Sequence, residues 1–424
     1  MTDEAMHVGV GLLTATAAGP YPIRTATAET MHAFAAPLDL AFAEMPEPGD
    51  EEHRTWEPER IIAAFDGERP VSTAGALTFR LRVPGGAAAA AGVTLVGVSP
   101  AYRRRGILRS MMRHQLDDIR ARGEPLAILW ASEGAIYQRF GYGLATLNGT
   151  FEIAVDRARF ARPAPAEGSV RLVDLEAAME IFPAIYDRVW AETPGMVARS
   201  STWWRWVTLH DTDHARGANG MKFLAVYEVD GSVEGTAIYR VKPDWDDRGP
   251  NGRLVAQEVI ATTPRAARNL WTWLLSVDLV GVVRGVRAPV PHPLQLLLAD
   301  PRRLGLTVGD AIWLRIVDLA PALEARTYGC PGTLVLEVRD GFCPWNAGRW
   351  RLAVDDAGHG DVQPTAAPAD LALDAADLAA AYLGAFRLSD LARVGRVEEL
   401  AGGSLRRADA LFAAERAPWC STMF

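Results

Sequence analysis

Residues 93–109 read VTLVGVSPAYRRRGILR, and the fold is decided in this stretch. Its first half is β-rich and apolar, with Val93, Leu95, Val96 and Val98 as a buried strand requires. Ser99-Pro100 stops that strand, because proline has no N–H to give to a ladder. From Gly106 the period changes. Ile107, Leu108, Met111, Met112, Leu116 and Ile119 share one helical face, and Gly123 closes the helix. Residues 102–106 are therefore a turn between a strand and a helix N-terminus.

Such a turn is an anion site by construction. The first N–H groups of a helix lack partners, and the macrodipole adds partial positive charge. Gly106 lets backbone approach a ligand, while Arg103, Arg104, Arg105 and Arg109 supply cationic donors. Gly97, inside the strand, marks a bulge or a place where another segment comes near. A pyrophosphate with an extended arm along the strand fits both features. A solvated arginine turn is the plainer alternative.

Strand, V-x-P-x-x-R-R-R-G and helix together resemble the acetyl-CoA loop of the GNAT acetyltransferase superfamily. Residues 131–143, ASEGAIYQRFGYG, are similar to one branch of it, the Eis (enhanced intracellular survival) N-acetyltransferases. The resemblance covers most of the chain and is strongest at 93–143 and 311–424. It implies an α/β (α+β) protein: two tandem GNAT-like mixed-sheet domains plus a C-terminal sterol-carrier-protein-like domain. The expected divisions are 1–150, binding acetyl-CoA, then 151–308, a degenerate GNAT-like domain without the coenzyme loop. Residues 309–424 form the sterol-carrier-like domain, with a tail reaching the active site. The superfamily loop usually reads Q/R-x-x-G-x-G/A. Here Arg103-x-x-Gly106 is followed by Leu108, where Gly or Ala is usual.

At 424 residues the chain exceeds one ordinary core, so two or three domains are expected. No apolar run approaches the length of a membrane span, and no membrane partner is expected. The opening MTDEAMHVGVGLLTATAAG carries Asp3 and Glu4 where a secretory signal carries positive charge, which reads as no export. Cys330, Cys343 and Cys420 are scattered and odd in number, as free thiols of a reducing cytoplasm would be. A net charge of −8 argues against nucleic acid and suits a cationic small molecule.

Residues 22–25 read as a first strand, and Met31, Phe34, Leu38 and Phe42 as a helix that Pro37 kinks or divides. Glu44, Glu47, Asp50, Glu51 and Glu52 make an acidic loop, which the resemblance places along the acceptor channel; a solvated charge run is the alternative. Residues 61–65 and 72–81 bracket Asp66-Gly67 as a hairpin. Residues 85–92, GGAAAAAG, read as a low-complexity linker. Residues 126–130 are another buried strand, and Ser132-Glu133-Gly134 opens a short helix with Tyr137 one turn on.

Residues 253–275 repeat strand, proline turn and amphipathic helix, with Pro264 set against Pro100 and Leu270 at the place of Gly106. An isobutyl group there would block a phosphate, so this copy reads as scaffold. Trp203, Trp204 and Trp206 read as core or subunit interface. His210-x-x-x-His214 has metal-like spacing but no further ligand nearby, and reads as a surface pair. The third unit opens near Ile312, with strands at 333–338, 350–354 and 371–373 and helical character at 378–383 and from 391.

Acetyl transfer from a thioester to an amine needs a bound donor, a deprotonated amine and a proton for the departing thiolate. No covalent enzyme intermediate is required, and the chain has no GxSxG elbow. Tyr137 is the best acid, because a phenol stays protonated at neutral pH. Tyr at this place of IYxRFGYG is also the general acid that the resemblance implies, while Tyr142 reads as packing against Phe140. The base implied by the resemblance is the α-carboxylate of the last residue, here Phe424 of APWCSTMF. Trp419, Met423 and Phe424 form an apolar anchor for it, although many relatives carry an acidic side chain where Met423 stands. Donor contacts carried over by position are the backbone at Val96, Gly97 and Val98. Arg104, Arg105, Gly106, Ile107, Leu108 and Arg109 follow around the pyrophosphate, with Ser132 and Glu133 near the pantetheine or acetyl group.

The resemblance thus implies an acetyl-CoA-dependent N-acetyltransferase that uses no metal. Its acceptors would be primary amines of aminoglycoside-like polycations, lysine side chains or small polyamines, and its assembly a homo-oligomer, a homohexamer. The rival is a non-catalytic carrier whose third domain binds a lipid; intact RRRG and Tyr137 argue against it. A longer acyl donor stays open.

Overall fold

In the computed structural model, residues 20–42, 52–162, 167–212, 216–217, 219–247 and 249–424 are described. The chain enters β1 (Ile23–Thr25) and α1 (Met31–Phe42), which runs as one helix through Pro37 rather than dividing there. The Asp66-Gly67 signal makes its hairpin: β2 (Ile62–Asp66) and β3 (Arg69–Val83) pair antiparallel, with Gly67 at φ +59 in the turn. β4 spans Gly86–Val98. The alanine run read as a linker is therefore strand. Low β-propensity gives way to packing here, since Ala88 and Ala90 are buried in one cluster with Leu81, Leu126 and Ile128.

Two compact units divide these residues: 20–42, 58–75 and 95–114 in one, 52–57, 76–94 and 115–424 in the other. In the first, β1 pairs with β2 and β2 with the start of β3. Phe34 of α1 meets Phe65 edge-on, ring centroids 5.2 Å apart. Leu38 and Ala41 of α1 lie over Gly97, where an added Cβ would stand 3.2 Å from either side chain. A turn at Pro100–Tyr102 then leads into α2 (Ile107–Ala121), whose Ile107, Met111 and Met112 are buried.

Among the described residues, the second unit holds three larger sheets and one two-stranded pair. The first continues from β3 and β4 through β5 (Leu126–Trp130) to β6 (Gly143–Leu144). β7 (Leu147–Ala154), β8 (Ser169–Leu172), β9 (Met221–Val229) and β10 (Ser232–Lys242) belong to the second, and β11 (Trp245–Asp246) and β12 (Gly249–Pro250) pair only with each other. β13 (Gly252–Ala261), β14 (Val280–Ala288) and β15 (Thr307–Asp310) complete the second sheet, in the order β15-β7-β14-β13-β10-β9-β8. β16 (Ile312–Ile316), which the sequence reading places at the head of the third domain, pairs instead with β5 and β6 in the first sheet. Its five residues are all buried, as a strand covered on both faces requires. The third sheet has the order β19-β18-β17-β20-β21, formed by β17 (Gly332–Arg339), β18 (Gly348–Val354), β19 (Gly360–Pro364), β20 (Leu371–Asp374) and β21 (Val397–Glu399). One apolar core joins it to the first sheet, with Phe79, Ile128 and Leu314 in the same cluster as Leu336, Leu373 and Leu378.

Candidate active site

The loop between β4 and α2 lies in the first unit. Ser99 N–H donates to Val71 O, and Tyr102 donates its hydroxyl proton to Asp66 at 2.8 Å, so the turn is tied to the β2–β3 hairpin. Arg104 at φ +64 and Gly106 at φ +80 both take left-handed backbone, which turns the chain sharply into the helix. The space beside Gly106 is open, with nothing within 4 Å of an added Cβ. The N–H groups of Gly106, Ile107 and Leu108 meet no acceptor among the described residues, as expected of a helix start. Arg104 is exposed and has no partner there. Arg105 is engaged by the protein itself: it donates to Tyr21 Oη at 2.8 Å and to Ala101 O at 3.0 Å, and lies over the Tyr102 ring. Leu95, at φ +55, bulges β4 just before Val96, Gly97 and Val98.

Ser132, Glu133, Tyr137 and Phe424 lie in the second unit. Strand β5 ends at Trp130, Ser132 and Glu133 are exposed, and α3 (Gly134–Tyr137) follows. The Tyr137 ring is buried, yet its hydroxyl makes no hydrogen bond among the described residues and is not sealed from solvent. Burial, with Glu133 adding to it, pushes this phenol up to about 12. Tyr142 meets Tyr137 edge-on at 5.8 Å, and Phe140 meets Phe342 edge-on at 5.0 Å; the expected Tyr142–Phe140 pairing is replaced by these two. Tyr142 is fully enclosed, its hydroxyl unpaired and its pKa driven far up by burial.

The chain's last residues are fixed rather than frayed. Residues 419–422 are buried. Trp419 N–H donates to Pro194 O at 2.8 Å and its indole N–H to Arg287 O at 2.7 Å. Trp130 Nε1 donates to Thr422 O at 2.8 Å, Arg287 Nε to Ser421 O at 3.1 Å and Arg199 Nε to Thr422 Oγ1 at 2.9 Å. Arg199 also forms a two-pronged bond to Glu258, at 3.0 and 2.6 Å, sandwiched over Tyr186 and Trp204. Burial opposes ionisation of Glu258, and the Arg199 guanidinium more than offsets it, holding the carboxyl below its usual range. Beyond this anchor the Phe424 ring rests on Phe79 at 4.9 Å and lies 3.2 Å from where a Gly92 Cβ would stand. Gly92↔Ile128 is the last pair of the parallel β4–β5 ladder, so Phe424 sits where those strands part.

Arg199, Glu258, Arg287 and Trp130 escape a reading of motifs. One signal was present: along β13 the inward positions Leu254, Ala256, Glu258 and Ile260 alternate, and Glu258 is a charge on the buried face.

The repeat behaves differently from its alignment. Here, beyond α4 (Leu175–Trp190), α5 (Pro264–Leu274) begins at the proline itself, with Thr263 Oγ1 accepting from Ala266 N–H, so Leu270 lies mid-helix rather than at a loop glycine. The 3-10 turn and arginine loop that separate Pro100 from its helix have no counterpart. Trp203 meets Phe79 edge-on and Trp204 meets Tyr186 edge-on in the core, and Trp206 packs with His210. His214 lies outside the described residues, as do Glu44, Glu47, Asp50 and Glu51 of the acidic loop. Among the described residues no group of three His, Cys, Asp or Glu could hold a metal ion, and no helix is long and apolar enough to cross a membrane.

The acetyltransferase (GNAT) domain family matches residues 22–145, and a second acetyltransferase (GNAT) domain family matches 195–316. The sterol carrier protein domain family matches 319–421. The class is thus a GNAT acetyltransferase with a doubled acetyltransferase domain and a sterol-carrier-type third domain. An uncharacterized N-acetyltransferase of Streptomyces avermitilis is 44% identical over 376 residues, covering 87% of this chain and 91% of that protein. N-acetyltransferase Eis of Mycobacterium tuberculosis is 37% identical over 366 residues, 83% of this chain and 85% of that one. Eis1 from Mycobacterium abscessus superposes with a TM-score of 0.82 at 33% identity, over 95% of this chain and 100% of that structure. The chain belongs to the Eis family of N-acetyltransferases, and its GNAT fold implies acetyl-CoA as co-substrate.

Proposed function

We propose that the chain acetylates primary amines of cationic acceptors, aminoglycoside-like polyamines or lysine side chains, with Tyr137 as proton donor and the Phe424 α-carboxylate as proton acceptor. The observation that carries this reading is the anchored tail, which brings Phe424 to the parting of β4 and β5. Fraying is the ordinary fate of a chain end; hydrogen bonds from Arg199, Arg287 and Trp130 hold Ser421 and Thr422 in place here.

The donor loop fits the diphosphate of acetyl-CoA. Gly106 leaves its side open, the helix-start N–H groups await acceptors, and Arg104 and Arg109 add charge. Gly97, covered by α1, serves helix packing as well as any ligand contact. When bound, acetyl-CoA supplies an acyl group already activated as a thioester. Tyr137, held at about 12, keeps its proton at any working pH. Against a thiol near ~8.5, complete transfer of that proton is uphill by roughly 5 kcal/mol. Tyr137 therefore donates a hydrogen bond to the developing thiolate rather than releasing its proton outright. A net charge of −8 favours cationic acceptors.

The test is thiol release from acetyl-CoA against a panel of mono-, di- and polyamines and aminoglycosides. Amine-dependent release that rises with the number of cationic groups is expected. Release that is amine-independent, or confined to neutral amines, contradicts the reading.

A further inference from the structure

The second sheet opens a cavity lined by neither Tyr137, nor Phe424, nor the loop between β4 and α2. β13 and β14 pair in parallel from Gly252↔Val280 to Ala256↔Gly285 and then part, as β4 and β5 do. Residues 257–261 and 285–288 line a cavity of about 310 Å³ between them. At its helix end this copy has no seat for a diphosphate. Thr263 caps α5, and the Glu234 carboxylate stands there already, accepting from Thr263 Oγ1 at 2.8 Å and Arg265 Nε at 2.7 Å.

Deeper in, the lining offers donors. Arg287, in left-handed backbone at φ +48, gives only its Nε to Ser421 O, and its terminal nitrogens have no partner among the described residues. His292 accepts from Leu294 N–H at Nδ1, which leaves its proton on Nε2. Glu258, the one acid among the described residues of the lining, is paired with Arg199. The walls are aromatic, with Phe151 tilted against the His292 ring at 4.8 Å, Trp271 edge-on to it at 5.1 Å and Trp419 also in the lining.

We propose that this cavity binds a small organic carboxylate with an apolar body, its carboxylate on Arg287 and His292 and its body against Phe151 and Trp271. Two donors beside aromatic walls suit that class; a cation meets Arg287, and a coenzyme has no phosphate site. The reading stands independently of the acetyl-transfer proposal, because it is tested by binding alone.

Calorimetric titration of the full chain with sodium benzoate, benzamide and benzylamine decides it. Benzoate should saturate with a Kd on the order of 1 mM or tighter. Benzamide should bind at least about tenfold more weakly and benzylamine not at all, since charge on the anchor supplies the selectivity. Arg287→Gln should lose at least about tenfold in benzoate affinity. Ala267→Phe, on α5 in the lining, fills the space without removing any tail partner and should abolish binding. Benzamide binding as tightly as benzoate, undiminished binding by Ala267→Phe, or no saturation would each overturn the proposal.

Discussion

Tyr137 combines a buried ring with a hydroxyl that reaches solvent and makes no hydrogen bond among the described residues, the combination a proton donor requires. Tyr137→Phe keeps the ring and removes only the donor, so kcat should fall by about 100-fold while acetyl-CoA affinity, read by titration, stays unchanged. An ordinary tyrosine is half ionised near pH ~10. Burial carries this one to about 12, so the wild-type rate should not decline through pH ~10; an alkaline limb centred there would assign the acid elsewhere. Arg199 tests the anchor. Arg199→Met removes the guanidinium paired to buried Glu258, leaving only the weaker pull of Arg287, and should cost roughly 3–5 kcal/mol in chemical denaturation. The double variant Arg199→Met/Glu258→Leu should recover most of that, because the cost lies in the stranded carboxylate.

At the scale of elements, two helix starts with similar sequence frames do different work. The α2 start leaves its amides open beside a glycine at φ +80, and the α5 start is closed by Thr263 and Glu234. Gly106→Leu places a branched side chain in that left-handed position and should weaken acetyl-CoA binding at least about tenfold, with folding intact by circular dichroism. The turn and helix here were legible in the sequence because Pro100, Gly106 and Gly123 each have one local meaning. Leu270 does not stand in the place of Gly106 because Pro100 sits outside its helix, whereas Pro264 is the first residue of its own. The GGAAAAAG strand was illegible because alanine's place there is set by neighbours distant in sequence. A third helix start, Pro293–Leu297, depends on a neutral His292, whose Nδ1 takes the Leu294 N–H. Burial pulls this imidazole down to about 4. The unfolded chain therefore binds the proton first as pH falls below ~6.5, and stability is lost from there to about 4. The full loss is roughly 3 kcal/mol. His292→Asn, which keeps an acceptor at the cap, should show a flatter fall of Tm over that window.

At the scale of the whole second unit, the FGYG motif is explained by what the distant chain brings to it. Gly141, at φ +83, faces the Arg315 guanidinium, where an added Cβ would stand 1.8 Å from a nitrogen, and Arg315 pairs with Asp340 at 2.5 Å. Gly143 lies against Ala376 O, which a Cβ would meet at 1.9 Å. These glycines let β16 and the third sheet close on the Tyr137 segment, an arrangement no local pattern could disclose, since residues 141 and 315 meet only in the fold. Gly141→Ala should accordingly lower Tm and reduce turnover together, through a displaced Arg315. The same long-range closure delivers the tail to Phe79 and Gly92. The most direct measurement is amine-dependent thiol release by the chain extended with a few residues after Phe424, beside acetyl-CoA affinity of the same protein. A loss of about 100-fold or more in kcat with donor affinity retained is expected. Full-rate turnover by the extended chain would remove the Phe424 α-carboxylate from the reaction.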